Sequence, residues 1–139
     1  MRKQRPLLLV EDDNVDALTV KRALEDIGVI DTLVHLSNGQ EALDYLQSGV
    51  NPLPCLILLD LNMPRMNGIE FLEESRKDEA ICRIPVVVLT TSDEDRDIEG
   101  TFAYSVAGYM VKPLEYDRFV EIVRTINDYW SLNVLPVPS

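Results

Sequence analysis

Short apolar runs alternate along this chain with segments in which apolar residues recur every three or four positions. Most of the runs lack polar positions, which is typical of buried strands, whereas the recurring positions indicate amphipathic helices. The pattern therefore predicts five strands and five helices in strict alternation. The predicted strands are 7–10, 32–36, 55–59, 85–89 and 108–111, and the predicted helices are 14–27, 37–49 after an opening turn, 68–77, a weaker helix through Ile98, Phe102 and Val106, and about 116–130.

Strands that are separated by helices imply a parallel sheet with helices on both of its faces. We therefore predict an α/β fold in three layers, α/β/α, whose five-stranded parallel sheet is doubly wound in the flavodoxin-like strand order 2-1-3-4-5. The chain is expected to form one domain over residues 1–139, with its core at about 6–130. Residues 131–139 form a tail with two prolines, which is not predicted to be helical past about Asn133.

The composition excludes several classes of protein. Of the 139 residues 46% are hydrophobic, which is enough for a core, yet the longest apolar runs are far too short to span a membrane. The basic start of the chain leads into only four apolar residues before Glu11, so it is not a secretory signal, and a cytoplasmic location is expected. The formal net charge of −11 argues against a nucleic-acid partner, because a phosphate backbone attracts basic surfaces.

The cysteines and the histidine add no candidate site. Cys55 and Cys82 match no metal-binding or redox spacing, and we interpret them as reduced thiols in or near the core. His35 is the only histidine and falls within the second predicted strand, at the edge of the sheet. We interpret it as a half-buried strand residue rather than a ligand or a phosphohistidine.

Polar side chains collect where the predicted strands end. Because the carboxyl ends of parallel strands share one edge of the sheet, these residues are expected to converge on a single crevice. They are Glu11, Asp12 and Asp13 after the first strand, Asp60 after the third, Thr90 and Thr91 after the fourth, and Lys112 and Pro113 after the fifth.

Such a crevice combines acids with hydrogen-bond donors. Neighbouring carboxylates repel one another unless a cation lies between them, and Mg²⁺ prefers oxygen ligands of the kind that Glu11, Asp12 and Asp60 offer. Thr90 and Lys112 are donors that can hold anionic oxygens, as phosphoryl transfer requires. Asp60 can itself be the nucleophile, because carboxylates form aspartyl phosphates.

With these residues the sequence resembles the receiver domains of two-component response regulators, the family of the chemotaxis regulator. The resemblance covers about residues 6–130 and rests on the motifs LLLVEDD, LILLDLNMPRMNG, PVVVLTT and GYMVKP. The separations from Asp60 to Thr90 and from Thr90 to Lys112 are also typical of the family. The aromatic pair Tyr129–Trp130 and the Leu-Pro tail further resemble the single-domain regulators that partner bacterial phytochromes.

The resemblance implies a role for each acid of the crevice. Asp60 would be the phosphoacceptor and a metal ligand. Mg²⁺, or another divalent cation such as Mn²⁺, would also be bound by Asp12 directly, by Glu11 through water and by the backbone carbonyl of Asn62. Asp13 is instead expected to cap the first helix.

The resemblance also implies a switch. Thr90 would be the switch hydroxyl, Tyr109 the switch aromatic and Lys112 the lysine of the family, with a cis peptide bond between Lys112 and Pro113. The readout surface would comprise the fourth helix, the fifth strand and the fifth helix. Gly100 lies inside the fourth helix and is expected to leave it marginally stable.

The implied protein is a single-domain response regulator of a two-component phosphorelay and not a turnover enzyme. It would accept a phosphoryl group on Asp60 from a sensor histidine kinase, a phytochrome kinase being one candidate, and would signal by contact with a downstream protein. Ser92 stands where fast-hydrolysing relatives have an acid, so slow autodephosphorylation is expected. The bulk of Thr91 is expected to narrow access to the phosphoryl group. The apolar tail and the readout surface are together expected to form the interface of a homodimer. Alternatively, the tail folds back on its own subunit.

Three other functions fit parts of the pattern. A haloacid-dehalogenase-type phosphatase also uses a strand-end Asp with Mg²⁺, but it needs a second Asp where this chain has Asn62. A flavodoxin-like cofactor binder needs a phosphate loop after the first strand, where the acidic EDDN segment repels phosphate. A pseudo-receiver would fold alike without being phosphorylated, which the complete set of Asp12, Asp60, Thr90 and Lys112 argues against.

Overall fold

The computed structural model describes residues 5–29 and 33–132. Within them the predicted alternation of strands and helices is confirmed, with element ends that differ from the predicted ones by a few residues. The strands are β1 (Leu7–Val10), β2 (Leu33–Leu36), β3 (Leu56–Leu59), β4 (Val86–Thr90) and β5 (Gly108–Val111). The helices are α1 (Asn14–Asp26), α2 (Gly39–Gln47), α3 (Gly68–Ser75), α4 (Asp95–Phe102) and α5 (Tyr116–Leu132).

The sheet has the predicted flavodoxin-like strand order. Its five strands pair in parallel as β2-β1-β3-β4-β5. The register aligns Val10 of β1 with Leu36 of β2 and with Leu59 of β3, and it aligns Leu59 with Val88 of β4. β1 and β3 therefore end side by side, so the residues that follow Val10 and Leu59 leave the sheet next to each other.

Helices cover both faces of the sheet, which confirms the three-layer α/β/α arrangement. Successive residues of a strand point to opposite faces. Leu8 and Val10 of β1 thus pack in one core with Phe71 of α3, while Leu9 packs in the other core with Phe119 of α5. Burial from both sides is what the lack of polar positions in β1, β3 and β4 predicts.

Three side chains lie differently from what the apolar pattern predicts. Phe102, assigned to the inner stripe of α4, is 49% exposed, because α4 ends there and among its described residues only Thr101 is buried. Cys82 is exposed rather than near the core, whereas Cys55 is half-buried. His35 lies at the sheet edge as predicted, but it is exposed, because β2 has a neighbour on one side only.

The C-terminal tail falls largely outside the described residues. α5 continues to Leu132, slightly beyond its predicted end. Residues 133–139 lie outside the described ranges, so the prediction that the tail packs on a second copy stays a prediction. Among the described helices, none has the length and apolar character needed to traverse a lipid bilayer.

Candidate functional site

Asp60 lies where β3 leaves the core. Its backbone N–H donates to the carbonyl of Val10 in β1 at 3.0 Å, so the sheet fixes the residue although it follows the last strand position. Asp60 is only 7% exposed, at the boundary between the apolar core and the crevice. Burial of a carboxylate is costly unless other groups compensate its charge. Neighbouring polar groups must therefore stabilise Asp60.

Gly68 allows α3 to begin directly against the end of β3. A β-carbon at this position would lie 2.7 Å from the backbone oxygen of Asp60 and 2.8 Å from Cα of Leu61, closer than real β-carbons approach such atoms. A capping box also holds the helix start: Asn67 accepts from the backbone N–H of Glu70 at 3.0 Å, and the Glu70 side chain accepts from that of Asn67 at 3.1 Å. The backbone around Asp60 is therefore closely packed.

Three carboxyl groups meet across the ends of β1 and β3. Oxygen atoms of Glu11, Asp12 and Asp60 lie within 4.8 Å of one another. Glu11 and Asp60 are buried, whereas Asp12 is exposed, so the cluster is open to solvent on one side. Asp13 forms the N-cap of α1, as predicted, because its side chain accepts from two backbone N–H groups of the first turn.

The chemistry of this donor set fits a hard divalent cation. Mg²⁺ and Mn²⁺ bind carboxylate oxygens, and acids this close together are unfavourable without a positive charge between them. Asn62, whose backbone carbonyl is a further predicted ligand, is exposed in the loop that follows Asp60. The structure thus brings the acids together, while the metal-binding roles of Glu11, Asp12, Asp60 and Asn62 stay predictions.

The ammonium group of Lys112 lies among three acids. Its Nζ donates to Glu11 Oε1 at 2.5 Å and to Asp16 Oδ2 at 2.8 Å, and it lies 4.0 Å from Asp60 Oδ2. The side chain is 8% exposed, so the charge is held inside the crevice. The backbone N–H of Lys112 donates to the carbonyl of Thr90 at 2.7 Å, which ties the lysine to the end of β4.

Asp16 is the residue of this site that sequence reasoning missed. An acid in the first turn of a helix is ordinarily explained by the positive end of the helix dipole. No strand-end motif includes it, and its partner Lys112 is distant along the chain. The available signal was its position in the first turn of the helix that begins directly after the acidic cluster.

The pKa of Glu11 is raised to about 8. Burial is the main cause, and a hydrogen bond with the Asp60 carboxyl group adds to it, while the hydrogen bond from Lys112 lowers the pKa. The pKa of Lys112 is also raised: burial alone would lower it, but the hydrogen bonds to Asp16 and Glu11 outweigh that effect. Without a metal ion, the lysine therefore stays charged and Glu11 retains its proton near neutral pH.

The raised pKa of Glu11 predicts a pH-dependent stability in the absence of divalent metal. Because the folded chain holds this proton more tightly than the unfolded chain, the stabilisation is complete below the ordinary pKa of 4.5 and is lost as the pH rises through about 8. We expect the free energy of unfolding, measured by urea titration, to fall by up to about 1.4 kcal/mol per pH unit across this window. Glu11→Gln and saturating Mg²⁺ should each remove the slope; a slope that survives in Glu11→Gln would contradict its assignment to Glu11.

Thr90 and Tyr109, the predicted switch residues, meet at the loop between β4 and α4. Thr90 is fully buried, and its Oγ1 accepts from the backbone N–H of Ser92 at 3.5 Å. The Tyr109 hydroxyl donates to the Ser92 carbonyl at 2.8 Å. The Ser92 hydroxyl donates to Asp97 Oδ2 at 2.6 Å, which fastens the loop to α4. Both residues thus contact one loop residue, and their roles in a switch stay predictions.

The peptide bond between Lys112 and Pro113 is trans, so the prediction of a cis bond is wrong. No cis peptide bond occurs in residues 5–29 and 33–132. The trans isomer is the more stable one before proline unless the surrounding structure selects the other. Here the hydrogen bond from Lys112 N–H to the Thr90 carbonyl fixes the end of β5, and the ammonium reaches the crevice with the trans bond in place.

Comparison with known sequences identifies the type of domain that this chain forms. A family model described as the response regulator receiver domain matches residues 7–124. Probable methanogenesis regulatory protein FilR2 of Methanothrix harundinacea is 39% identical over 137 residues, which are 96% of this chain and 88% of the relative. Response regulator Rcp1 of Synechocystis sp. is 34% identical over 137 residues, which are 96% of this chain and 92% of the relative.

Solved structures that superpose on this chain are also response regulators. The phosphorylated cyanobacterial phytochrome response regulator RcpA superposes with a TM-score of 0.89 at 34% identity, over 97% of this chain and 100% of that chain. The Mn²⁺-bound form of response regulator Rcp1 gives a TM-score of 0.87 at 34% identity, over 96% of this chain and 99% of that chain. Phosphorylation of an aspartate and binding of a divalent metal at an acidic pocket are general properties of such proteins. The fold, the strand-end cluster and these similarities together show that this chain belongs to the response regulator receiver domain family of two-component systems.

Proposed function

We propose that this chain is a single-domain response regulator that accepts a phosphoryl group on Asp60 from a sensor histidine kinase in a Mg²⁺-dependent reaction. The observation that carries the proposal is the position of Asp60, beside two further carboxyl groups and 4.0 Å from the ammonium group of Lys112. A carboxylate in this setting can act as metal ligand and nucleophile, and the ammonium group can hold the incoming anion.

The transfer needs positioning and charge compensation from the protein more than covalent chemistry. An oxygen of Asp60 attacks the phosphorus atom of a phosphohistidine, a P–O bond forms, and the P–N bond breaks with its electron pair remaining on the histidine. Lys112 donates to a phosphoryl oxygen, and the Thr90 hydroxyl provides a further donor. A divalent cation bound by Glu11, Asp12 and Asp60 would offset the charge of the acids and the phosphoryl oxygens.

Acetyl phosphate tests this proposal without the kinase. In the presence of Mg²⁺ the intact mass of the chain is expected to increase by one phosphoryl group, with release of acetate, and no increase is expected in EDTA. A wild-type chain that takes up no phosphoryl group with Mg²⁺ present would contradict the proposal. We also propose that the chain does not turn over free substrates, because the amide of Asn62 cannot transfer a proton; turnover of a chromogenic phosphomonoester would favour the phosphatase instead.

Slow autodephosphorylation is part of the proposal. Ser92 offers no carboxylate to orient a water molecule, and its hydroxyl is engaged with Asp97 at 2.6 Å. After removal of acetyl phosphate by desalting, intact-mass spectra are expected to show most of the phosphoryl group still bound after many minutes. Ser92→Glu should shorten this lifetime, whereas Ser48→Glu, at an exposed position after α2, should leave it unchanged. A wild-type lifetime of seconds would count against the assignment.

The proposed readout surface, which is the output surface of the switch, consists of α4, β5 and α5. α4 is a marginal element, since it has eight residues and its N-cap makes no side-chain hydrogen bond. Gly100 costs the helix about 1 kcal/mol relative to Ala, although a β-carbon there would make only an ordinary contact with Ile69. A marginal helix can exchange between two positions that a phosphoryl group biases. Of the seven large apolar side chains that are exposed among the described residues, four lie on these elements and the loop before α5: Phe102, Val111, Leu114 and Tyr129.

The proposed partners are a phytochrome-type sensor kinase, a downstream protein and a second copy of this chain. The kinase is suggested by the similarity to Rcp1 and to the phytochrome response regulator RcpA. The dimer is suggested by Tyr129, which is 63% exposed near the end of α5 and stacks edge-on against Trp130. In this proposal the output surface and the tail contact the second copy. Equilibrium sedimentation that finds only monomer at micromolar concentration, with and without beryllofluoride, would contradict the dimer.

A further inference from the structure

Lys112 has more acidic partners than a role beside Asp60 requires. An ammonium group carries three N–H donors. Glu11 and Asp16 take two of them, at 2.5 Å and 2.8 Å. Asp60 Oδ2 lies 4.0 Å away, beyond hydrogen-bond distance, so the third donor is left for an atom between the lysine and Asp60. An oxygen of a phosphoryl group on Asp60 would occupy that gap.

Asp16 belongs to a rigid part of the fold. Its backbone N–H donates to the side chain of Asp13 at 3.1 Å, within the cap of α1. The next residue, Ala17, is buried in the core between the sheet and the helices α1 and α5. The lysine side chain, by contrast, is a flexible four-carbon stem with a rotatable charged end. A fixed acid beside it therefore restricts where the ammonium group can lie.

Glu11 does not provide the same fixed point. Its carboxyl group belongs to the cluster with Asp12 and Asp60, so it serves both Lys112 and the proposed cation. Asp16 is not among the clustered acids of the described residues, and its side chain is 40% exposed. Its carboxylate is therefore committed to Lys112 alone within the crevice, and losing it leaves the three clustered acids intact.

We propose that Asp16 is a positioning residue for phosphoryl transfer, which holds the Lys112 ammonium group so that its third N–H points at the phosphoryl group on Asp60. The inference rests on the proposed function and adds a residue to it. Holding groups in the productive geometry lowers the barrier of a reaction without any further bond. The role requires an acceptor oxygen at this point of α1 and does not require a full negative charge.

Three variants test this role. Asp16→Ala removes the acceptor, Asp16→Asn keeps an acceptor oxygen of the same reach without the charge, and Glu25→Ala removes an exposed acid of the same helix as a control. With acetyl phosphate and Mg²⁺, the phosphorylation rate of Asp16→Ala is expected to fall roughly tenfold, the lower end of what loss of an orienting group costs. Asp16→Asn should stay within about threefold of wild type, because its amide oxygen still accepts a hydrogen bond from the charged lysine. Glu25→Ala should match wild type.

Two further readouts separate positioning from a structural or metal role. The affinity for Mg²⁺ alone, measured by calorimetry, should be the same in Asp16→Ala and wild type, whereas beryllofluoride with Mg²⁺ should bind Asp16→Ala more weakly. Thermal unfolding checks that each variant is folded; if Asp16→Ala is not, Asp16→Ser gives the same comparison, because its short side chain cannot reach Lys112.

The outcomes distinguish this inference from the proposed function. A wild-type chain that is phosphorylated, together with an Asp16→Ala chain that keeps pace with it, overturns the role of Asp16 and leaves the proposed function standing. Asp16→Asn as slow as Asp16→Ala also overturns it, since charge and not position would then matter. So does a loss of Mg²⁺ affinity that accounts for the slower rate. A wild-type chain that is not phosphorylated contradicts the proposed function itself.

Discussion

Asp60→Asn is expected to abolish phosphoryl uptake from acetyl phosphate. An amide lacks the anionic oxygen that attacks phosphorus, while its similar size preserves the end of β3 and the backbone hydrogen bond to Val10. Intact mass after incubation with acetyl phosphate and Mg²⁺ should therefore show no added group. Asp44→Asn, which changes an exposed acid of α2 outside the crevice, is the matched control and should be phosphorylated like wild type.

The same variant also tests the electrostatics of the crevice. Asp60 raises the pKa of Glu11 through a hydrogen bond and through its charge, in addition to the larger effect of burial. In Asp60→Asn both contributions of the carboxylate are gone, so the loss of stability between about pH 5 and pH 8 without metal should be smaller than in wild type. Uptake that persists in Asp60→Asn would assign the phosphoryl group to another side chain and would contradict the proposed acceptor.

The strands were predictable because each central one is buried on both faces. β3 consists of four apolar residues and is followed by Asp60, and β4 consists of four apolar residues and Thr90; continuous apolar runs this short are typical of buried strands. The fourth helix was harder to predict, because its exposed Phe102 fits the same apolar spacing as a buried residue would. Spacing alone does not tell where α4 ends, and the inner face of this short helix is supplied largely by Thr101.

The site was predictable where topology alone brings residues together. Asp12, Asp60 and Lys112 each follow a strand, and a parallel sheet places strand ends on one edge whatever the details of packing. The pairing of Asp16 with Lys112 and the isomer of the peptide bond before Pro113 depend on tertiary contacts instead. A helical acid can face solvent or a buried lysine with the same local sequence, so only the fold identifies Asp16 as a partner of Lys112.

Lys112→Met is expected to give the second largest effect. It should lower the phosphorylation rate and raise the affinity for Mg²⁺. Methionine keeps the length of the side chain and removes a charge that pairs with Glu11 and Asp16 and lies 4.0 Å from Asp60. The phosphorylation rate should fall by at least about 100-fold, as when a preorganised donor to a developing anion is lost. Mg²⁺ should bind more tightly by calorimetry, because the cation would then be the only positive charge offered to the clustered acids.

The stability of Lys112→Met should depend strongly on the metal. Breaking a buried ion pair leaves uncompensated charge and costs roughly 3 kcal/mol, so urea titration at about pH 8 without Mg²⁺ should show a loss of this size. Saturating Mg²⁺ should recover most of it, because the cation replaces the missing ammonium charge. Lys21→Met, at an exposed position of α1, is the control for loss of one lysine and should change neither rate nor affinity. A Lys112→Met chain that is phosphorylated at the wild-type rate, or that binds Mg²⁺ more weakly, would show that the ammonium group does not act on Asp60 as this geometry requires.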